Sequence, residues 1–337
     1  MSGSKVRWLL VVVGVMLWVL VVYPAYYVVH KPLSAASLRA IASVSADLLT
    51  WLAMMAVATA LGSRLTRPLA YHSLLERLTL SAGLGLVLFS LLTFALGLAG
   101  LLYGWLFWVL LGAGGLALWK EFLEIGQALR EASLPRPRGR WSGFLGLFVA
   151  ASLLLALTAA LLPPTEWDSL VYHLVGPERY LQAHRLTFDF DNYYLFFPSF
   201  VEMLFTAGMA LKGDVVPRLL HFGYLLLTLG ALGSFAARFW ERRLGLLAAA
   251  LFLSIPTAVQ IASWSYVDLA LTFYGLAAFY ALLVWLYPKN APRRSTGWLV
   301  LAGIFGGACL AIKYTGGATL LVLGAVLLWS LIRRRVN

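Results

Sequence analysis

About ten apolar runs, many near the roughly 20 residues a helix needs to cross a bilayer, fill most of this 337-residue chain and restrict what it can fold into. They lie near residues 8–29, 39–61, 79–99, 102–119, 142–162, 217–237, 244–262, 269–287, 298–312 and 315–332. Charged residues make up 12% and hydrophobic ones 61%, with a mean hydropathy of +0.85, far from the ~25% charged residues of a soluble domain. The alternation that builds a membrane β-barrel is absent. The expected fold class is therefore all-α, a polytopic membrane protein of about ten transmembrane helices. At the N-terminus, the apolar stretch of MSGSKVRWLLVVVGVMLWVLVVY exceeds the ~7–15 residues of a signal-peptide core and no small-residue cleavage site follows, so it reads as the first span. The single cysteine, Cys309, sits inside an apolar run and excludes an internal disulfide.

The net charge of +12 does not point to nucleic acid, because the basic residues form short clusters between spans and no stripe with stacking aromatics. They instead orient the chain. Residues 199–212 (SFVEMLFTAGMALK) are apolar, but 14 residues reach only about 21 Å, short of the roughly 30 Å hydrocarbon core. If this segment does not cross, 19 of the 26 Lys and Arg residues fall on the cytoplasmic side, among them Arg64, Arg67, Arg77, Arg238, Arg242, Arg243 and Arg333. If it crosses, the split is 13 to 13 and the positive-inside bias disappears. The segment is accordingly expected to lie on the outer surface as an interfacial helix, with Phe200, Met203, Leu204, Ala207 and Leu211 along its apolar face. Both termini are then cytoplasmic, in a cell membrane, and residues 163–216 form one large external loop. The polar, basic stretch 120–140, with Pro135 and Pro137, divides a four-span unit (1–119) from a module over 141–337. In the first unit Asp47 is expected to be the one buried acid, read as a hydrogen bond to a neighbouring helix, and Gly83, Gly85, Gly97, Gly112, Gly114 and Gly115 suit close helix packing.

Two aspartates beside aromatic residues, Asp168 in TEWDSLVYHL and Asp268 in SWSYVDLALT, fall at the same membrane surface, where a carboxylate is expensive and tends to be kept for a task. Asp168, Tyr172, Val175 and Arg179 are spaced to share a helical face with His173 beside them. Two readings of Asp168 stand: a helix cap, or a general base that takes a proton from an attacking hydroxyl. His173, with Asp168 or Glu178, could ligate a divalent cation, although the spacing matches no zinc pattern; the alternative is a buried, hydrogen-bonded histidine. Arg179 belongs either to a solvated ion pair or to a phosphate contact. Lys313, in LAIKYTGG, suits a phosphate at headgroup depth, and snorkelling explains it equally well. No phosphate-binding loop or nucleotide-binding domain is evident, so an activated substrate is expected to arrive within the membrane. Asp168, His173, Asp268 and Lys313 are expected to converge, with the two aspartates within about 15 Å so that reacting groups can meet.

PPTEWDSLVYHLVGPERYL, FPSFVEML, GDVVPRLLHFGYLL, RRLGLLAAALFLSIP, SYVDLALTF and LAIKYTGG occur in an order that resembles the GT-C glycosyltransferases, especially the bacterial group containing protein mannosyltransferases and lipid A aminoarabinose transferases. The resemblance covers roughly residues 142–332. It implies a sugar donor carried on a polyprenyl phosphate, a catalytic aspartate at Asp168 and a second acid at Asp268. It also implies substrate or phosphate contacts among Lys313, His173, Tyr172 and Arg179. A divalent cation remains an open cofactor. Relatives carry charged residues before the proline matching Pro198, where this chain has Phe196 and Phe197. They also usually continue for several more spans, which leaves open a membrane protein partner completing the chain, or a non-catalytic scaffold subunit docked through Trp105, Trp108 and Trp119.

Overall fold

The computed structural model describes residues 14–15, 17–18, 21–22, 25–26, 34–132, 139–188, 191–287 and 295–336. The first expected span lies mostly outside the described residues, as do Pro135, Pro137 and the basic Lys289, Arg293 and Arg294. Among the described residues the chain is helical, with no strand. The helices are α1 (Ala35–Leu65), α2 (Leu74–Leu98), α3 (Gly104–Ala117), α4 (Trp119–Glu131), α5 (Arg140–Ala160), α6 (Val175–Ala183) and α7 (Phe200–Leu211). They continue with α8 (Val215–Phe239), α9 (Arg242–Leu253), α10 (Pro256–Ile261), α11 (Asp268–Leu286), α12 (Thr296–Ile312) and α13 (Gly317–Val336). Contacts divide the chain into residues 1–46 and 47–337. In the first unit, the described residues 34–46 carry no buried side chain.

Among the described residues, six helical stretches are long and apolar enough to cross a membrane: α1, α2, α5, α8, α11 and Tyr314–Arg333. The count becomes seven if α3 and α4, bent by 64° at Leu118, act as one broken span. The ten expected spans are therefore not all present as uninterrupted helices. The run at 244–262 is broken at Ser254 and Ile255 ahead of Pro256, a proline that fits only the first turn of a new helix because it has no N–H to donate. The run at 298–312 becomes the 17-residue α12. Part of the expected linker is also helical, because α4 carries Glu121 and Glu124 toward Arg64, Arg67 and Arg77 at the ends of α1 and α2.

The second unit is built around α8, which packs against α2, α5, α7, α9 and α11; α11 in turn packs against α12 and α13. Its core is aromatic, with Tyr224, Tyr274, Tyr280, Phe205, Phe273 and Phe305 fully buried. Several polar atoms inside it bond within the protein, since hydrocarbon offers them no partner. The Tyr274 hydroxyl donates to the carbonyl of Gly83, and the Tyr224 and Tyr274 hydroxyls lie 3.2 Å apart. Cys309 is buried and free.

The α1–α2 contact depends on absent side chains. A Cβ on Gly85 would collide with the Ala58 carbonyl, and one on Gly62 with the Ser81 carbonyl. Both obstacles are backbone, so neither can swing aside. Gly85→Ala should cost about 1–3 kcal/mol, the usual penalty of overpacking, visible as a lowered unfolding midpoint in detergent. Gly112→Ala should leave it unchanged, because Gly112 and Gly115, expected at helix contacts, have nothing within 4 Å of the place a Cβ would occupy.

The segment 199–212 departs from the amphipathic expectation. α7 has 12 residues, about 18 Å, too short to span, but it does not present one apolar face to a surface. Val201 through Gly208 and Leu211 are all buried by α2, α3, α6 and α8. Its two polar side chains bond inward: the Thr206 hydroxyl donates to Glu202 O and Glu202 Oε1 meets His173 Nδ1. The Trp108 indole caps its last turn through Leu211 O at 3.2 Å.

Candidate active site

The C-terminal ends of α5 and α12 and the N-terminal ends of α8 and α11 meet at one pole of this unit. Asp268 opens α11, where the unpaired amides of a helix start favour a carboxylate. Lys313 follows α12 in extended conformation and donates to Asp268 Oδ1 at 2.7 Å. The side chains of Lys313 and Asp268 are 38% and 40% exposed, so the pair remains open to an approaching ligand. An ammonium has three donors, and this contact uses one.

Asp168 arrives from the chain between α5 and α6. After it, Ser169–His173 form a single π-helical turn, which inserts an extra residue into the helical repeat. That turn breaks the expected face. Asp168 and Tyr172 stay together, while His173 turns into the core and Arg179 outward. Asp168 makes no capping bond to the turn that follows, contrary to the cap reading. Burial, and then the Asp168 carboxylate, push the Tyr172 phenol above its ordinary range, and Asp268 adds to the effect. Burial and then Asp168 also raise Tyr266, again with a contribution from Asp268. Tyr194 stacks on Tyr172 at 5.0 Å and stands edge-on to Trp167, giving Asp168 an aromatic wall.

Beneath this wall, His173 Nδ1 lies 2.7 Å from Glu202 Oε1, with both side chains buried. His173 Nε2, Glu202 Oε2, Ser169 Oγ and Ser265 Oγ are buried without a hydrogen-bond partner. His173 is thus buried and hydrogen-bonded through Nδ1. Among the described residues no three His, Cys, Asp or Glu side chains converge as a cation site. Arg179 extends both Nη atoms to Asp191, at 2.7 and 3.0 Å, in an exposed fork that holds the Asp191 carboxyl below its usual range. Asp189 lies outside the described residues.

Three participants escaped the sequence reading. Arg218 of α8, 3% exposed, donates to Ala159 O and Pro163 O, both at 2.9 Å, and pairs with Glu166. His221 of α8 is fully buried between Ile261 O and the Leu269 amide. Glu202 of α7 is the third. Each is a charged or polar group in an apolar helix, the signal that pointed to the two aspartates.

The opposite pole carries the other paired charges. Arg238 Nη1 meets both oxygens of Glu76 at 2.7 and 3.0 Å, Tyr280 donates to Glu76 Oε1 at 2.7 Å, and the arginine lies over the Trp298 ring. The Arg64, Arg67 and Arg77 pairs with α4 gather with it at the ends of α1 and α2. Asp47, by contrast, lies 3.9 Å from Lys212.

No curated protein and no solved structure matches this chain. A family model described as dolichyl-phosphate-mannose-protein mannosyltransferase, a GT-C family, matches residues 214–337, which include Arg218, His221, Asp268 and Lys313, so the C-terminal part of this helical membrane protein is similar to that family.

Proposed function

We propose that the chain transfers a sugar from a polyprenyl-phosphate donor to an acceptor on the extracytoplasmic side of a cell membrane, with inversion at the anomeric carbon. Asp168 takes the proton of the acceptor hydroxyl, the acceptor oxygen bonds to the anomeric carbon, and the carbon–oxygen bond to phosphate breaks, its electron pair leaving with the polyprenyl phosphate. One carboxylate suffices, because no covalent sugar–enzyme intermediate forms. Asp268 orients Lys313, whose remaining donors suit the departing phosphate. The observation that carries this reading is the Lys313–Asp268 pair, half-open to solvent at 2.7 Å. The concentration of paired arginines at the other pole supports the orientation.

Lys313→Gln tests the phosphate role. In reconstituted protein supplied with a panel of polyprenyl-phosphate sugars, release of polyprenyl phosphate should show a donor KM raised about tenfold or more, as the loss of a charge-assisted contact implies. An unchanged KM and kcat in that variant would exclude Lys313 from the site.

A further inference from the structure

Arg218 and His221 are three residues apart on α8, so they project from neighbouring positions on one helix turn. Each reaches a different segment. The Arg218 fork holds Ala159 O and Pro163 O at the end of α5 and the Glu166 carboxylate two residues before Asp168; the Glu166 carbonyl accepts from Leu170 N and so begins the turn that bears Asp168. His221 holds the start of α11. The Leu269 amide, next to Asp268, donates to His221 Nε2 at 3.1 Å, and Ile261 O lies 2.8 Å from Nδ1. An amide can only donate to Nε2, so that nitrogen carries the lone pair and Nδ1 carries the hydrogen that bonds Ile261 O. The imidazole bridges Ile261 and Leu269 in one neutral tautomer.

We propose that this single turn of α8 sets the separation of Asp168 and Asp268, with Arg218 and His221 as positioning residues that touch no substrate. The inference deepens the transferase reading and rests on it for the roles of the two acids. The physical argument is rigidity. Two loops crossing a membrane surface would otherwise move independently, whereas contacts to one buried helix, about 4.5 Å apart along its axis, give both acids a common frame. A misplacement of about 1 Å in a reacting group can lower a rate about 100-fold. Lysine cannot replace Arg218, because a point charge cannot span three acceptors arranged around a planar fork.

The test combines hydrogen exchange with kinetics on the full chain in lipid nanodiscs, comparing Arg218→Lys, His221→Leu and His221→Gln. Arg218→Lys should speed amide exchange over residues 163–170 about tenfold or more and leave 268–272 unchanged. His221→Leu should do the reverse. Both should lower kcat by about 100-fold with the donor KM within about twofold. His221→Gln, whose amide supplies both a donor and an acceptor, should recover at least about tenfold of the His221→Leu loss. Uniform acceleration across the chain would overturn the proposal, since the two residues would then support only global stability. Unchanged exchange in both segments would overturn it equally. Asp168→Asn and Asp268→Asn serve as the separating controls: if both retain normal transfer the catalytic reading falls, while the exchange pattern still decides whether α8 holds the two segments.

Discussion

Asp168→Asn should lower sugar transfer by about 100- to 10,000-fold, the contribution of a positioned general base, while expression and the unfolding midpoint stay at their original values. The stability half of this expectation follows from the structure. Asp168 forms no cap on the π-helical turn that follows it, and its amide isostere still fits against Tyr172 and Tyr266. The activity half follows from chemistry, because an amide cannot accept the acceptor hydroxyl's proton. Single-turnover transfer in nanodiscs measures the rate. A residual rate within a few-fold of the original would remove Asp168 from the chemistry and return it to the aromatic wall as a structural residue.

At the other pole the expected effect is on folding. Arg238→Leu should destabilise the protein by roughly 3–5 kcal/mol, the cost of leaving one member of a buried ion pair uncompensated. Glu76 is fully buried and the Arg238 side chain is 10% exposed, so water cannot replace the lost partner. The remaining donors, the Tyr280 hydroxyl and the His72 amide, cannot neutralise the carboxylate. The double variant Glu76→Gln with Arg238→Leu should recover much of the loss, because neither charge is then buried alone. Unfolding of the purified variants in detergent reads this coupling. Additive losses in the double variant would mean that the two residues act separately. Transfer per folded molecule should change little in any of them, since this pair belongs to the pole remote from Asp268.

Much of the architecture was legible because hydrocarbon imposes a simple length rule, and the runs at 39–61, 79–99, 142–162, 217–237, 269–287 and 315–332 each became a helix long enough to cross. Hydropathy alone could not show which apolar surface faces lipid and which faces protein. Residues 199–212 demonstrate the difference: their length excluded a span, while their burial depended on partners distant in the chain. The π-helical turn after Asp168 was equally hidden, since a wider turn leaves composition unchanged yet rotates His173 into the core, away from the neighbouring face.

The site was legible in part for a related reason. Asp268 and Lys313 stood out as charges at the ends of apolar helices, and counting spans put them at one pole, where they pair. Glu202 with His173, and Arg218 with Glu166, join positions 29 and 52 residues apart, and no local pattern encodes such pairings. PRLLHF in α8 nevertheless contained the clue, an arginine and a histidine one turn apart in an apolar helix.

The most direct measurement is the position of the donor. A structure of the full chain in nanodiscs with a polyprenyl-phosphate sugar should show the phosphate within hydrogen-bond reach of Lys313 and the anomeric carbon between Asp168 and Asp268. Lipid phosphate bound instead at the Glu76–Arg238 pole, or a stoichiometric protein partner covering Asp268 with no lipid at the site, would contradict a reaction centre built from the two aspartates.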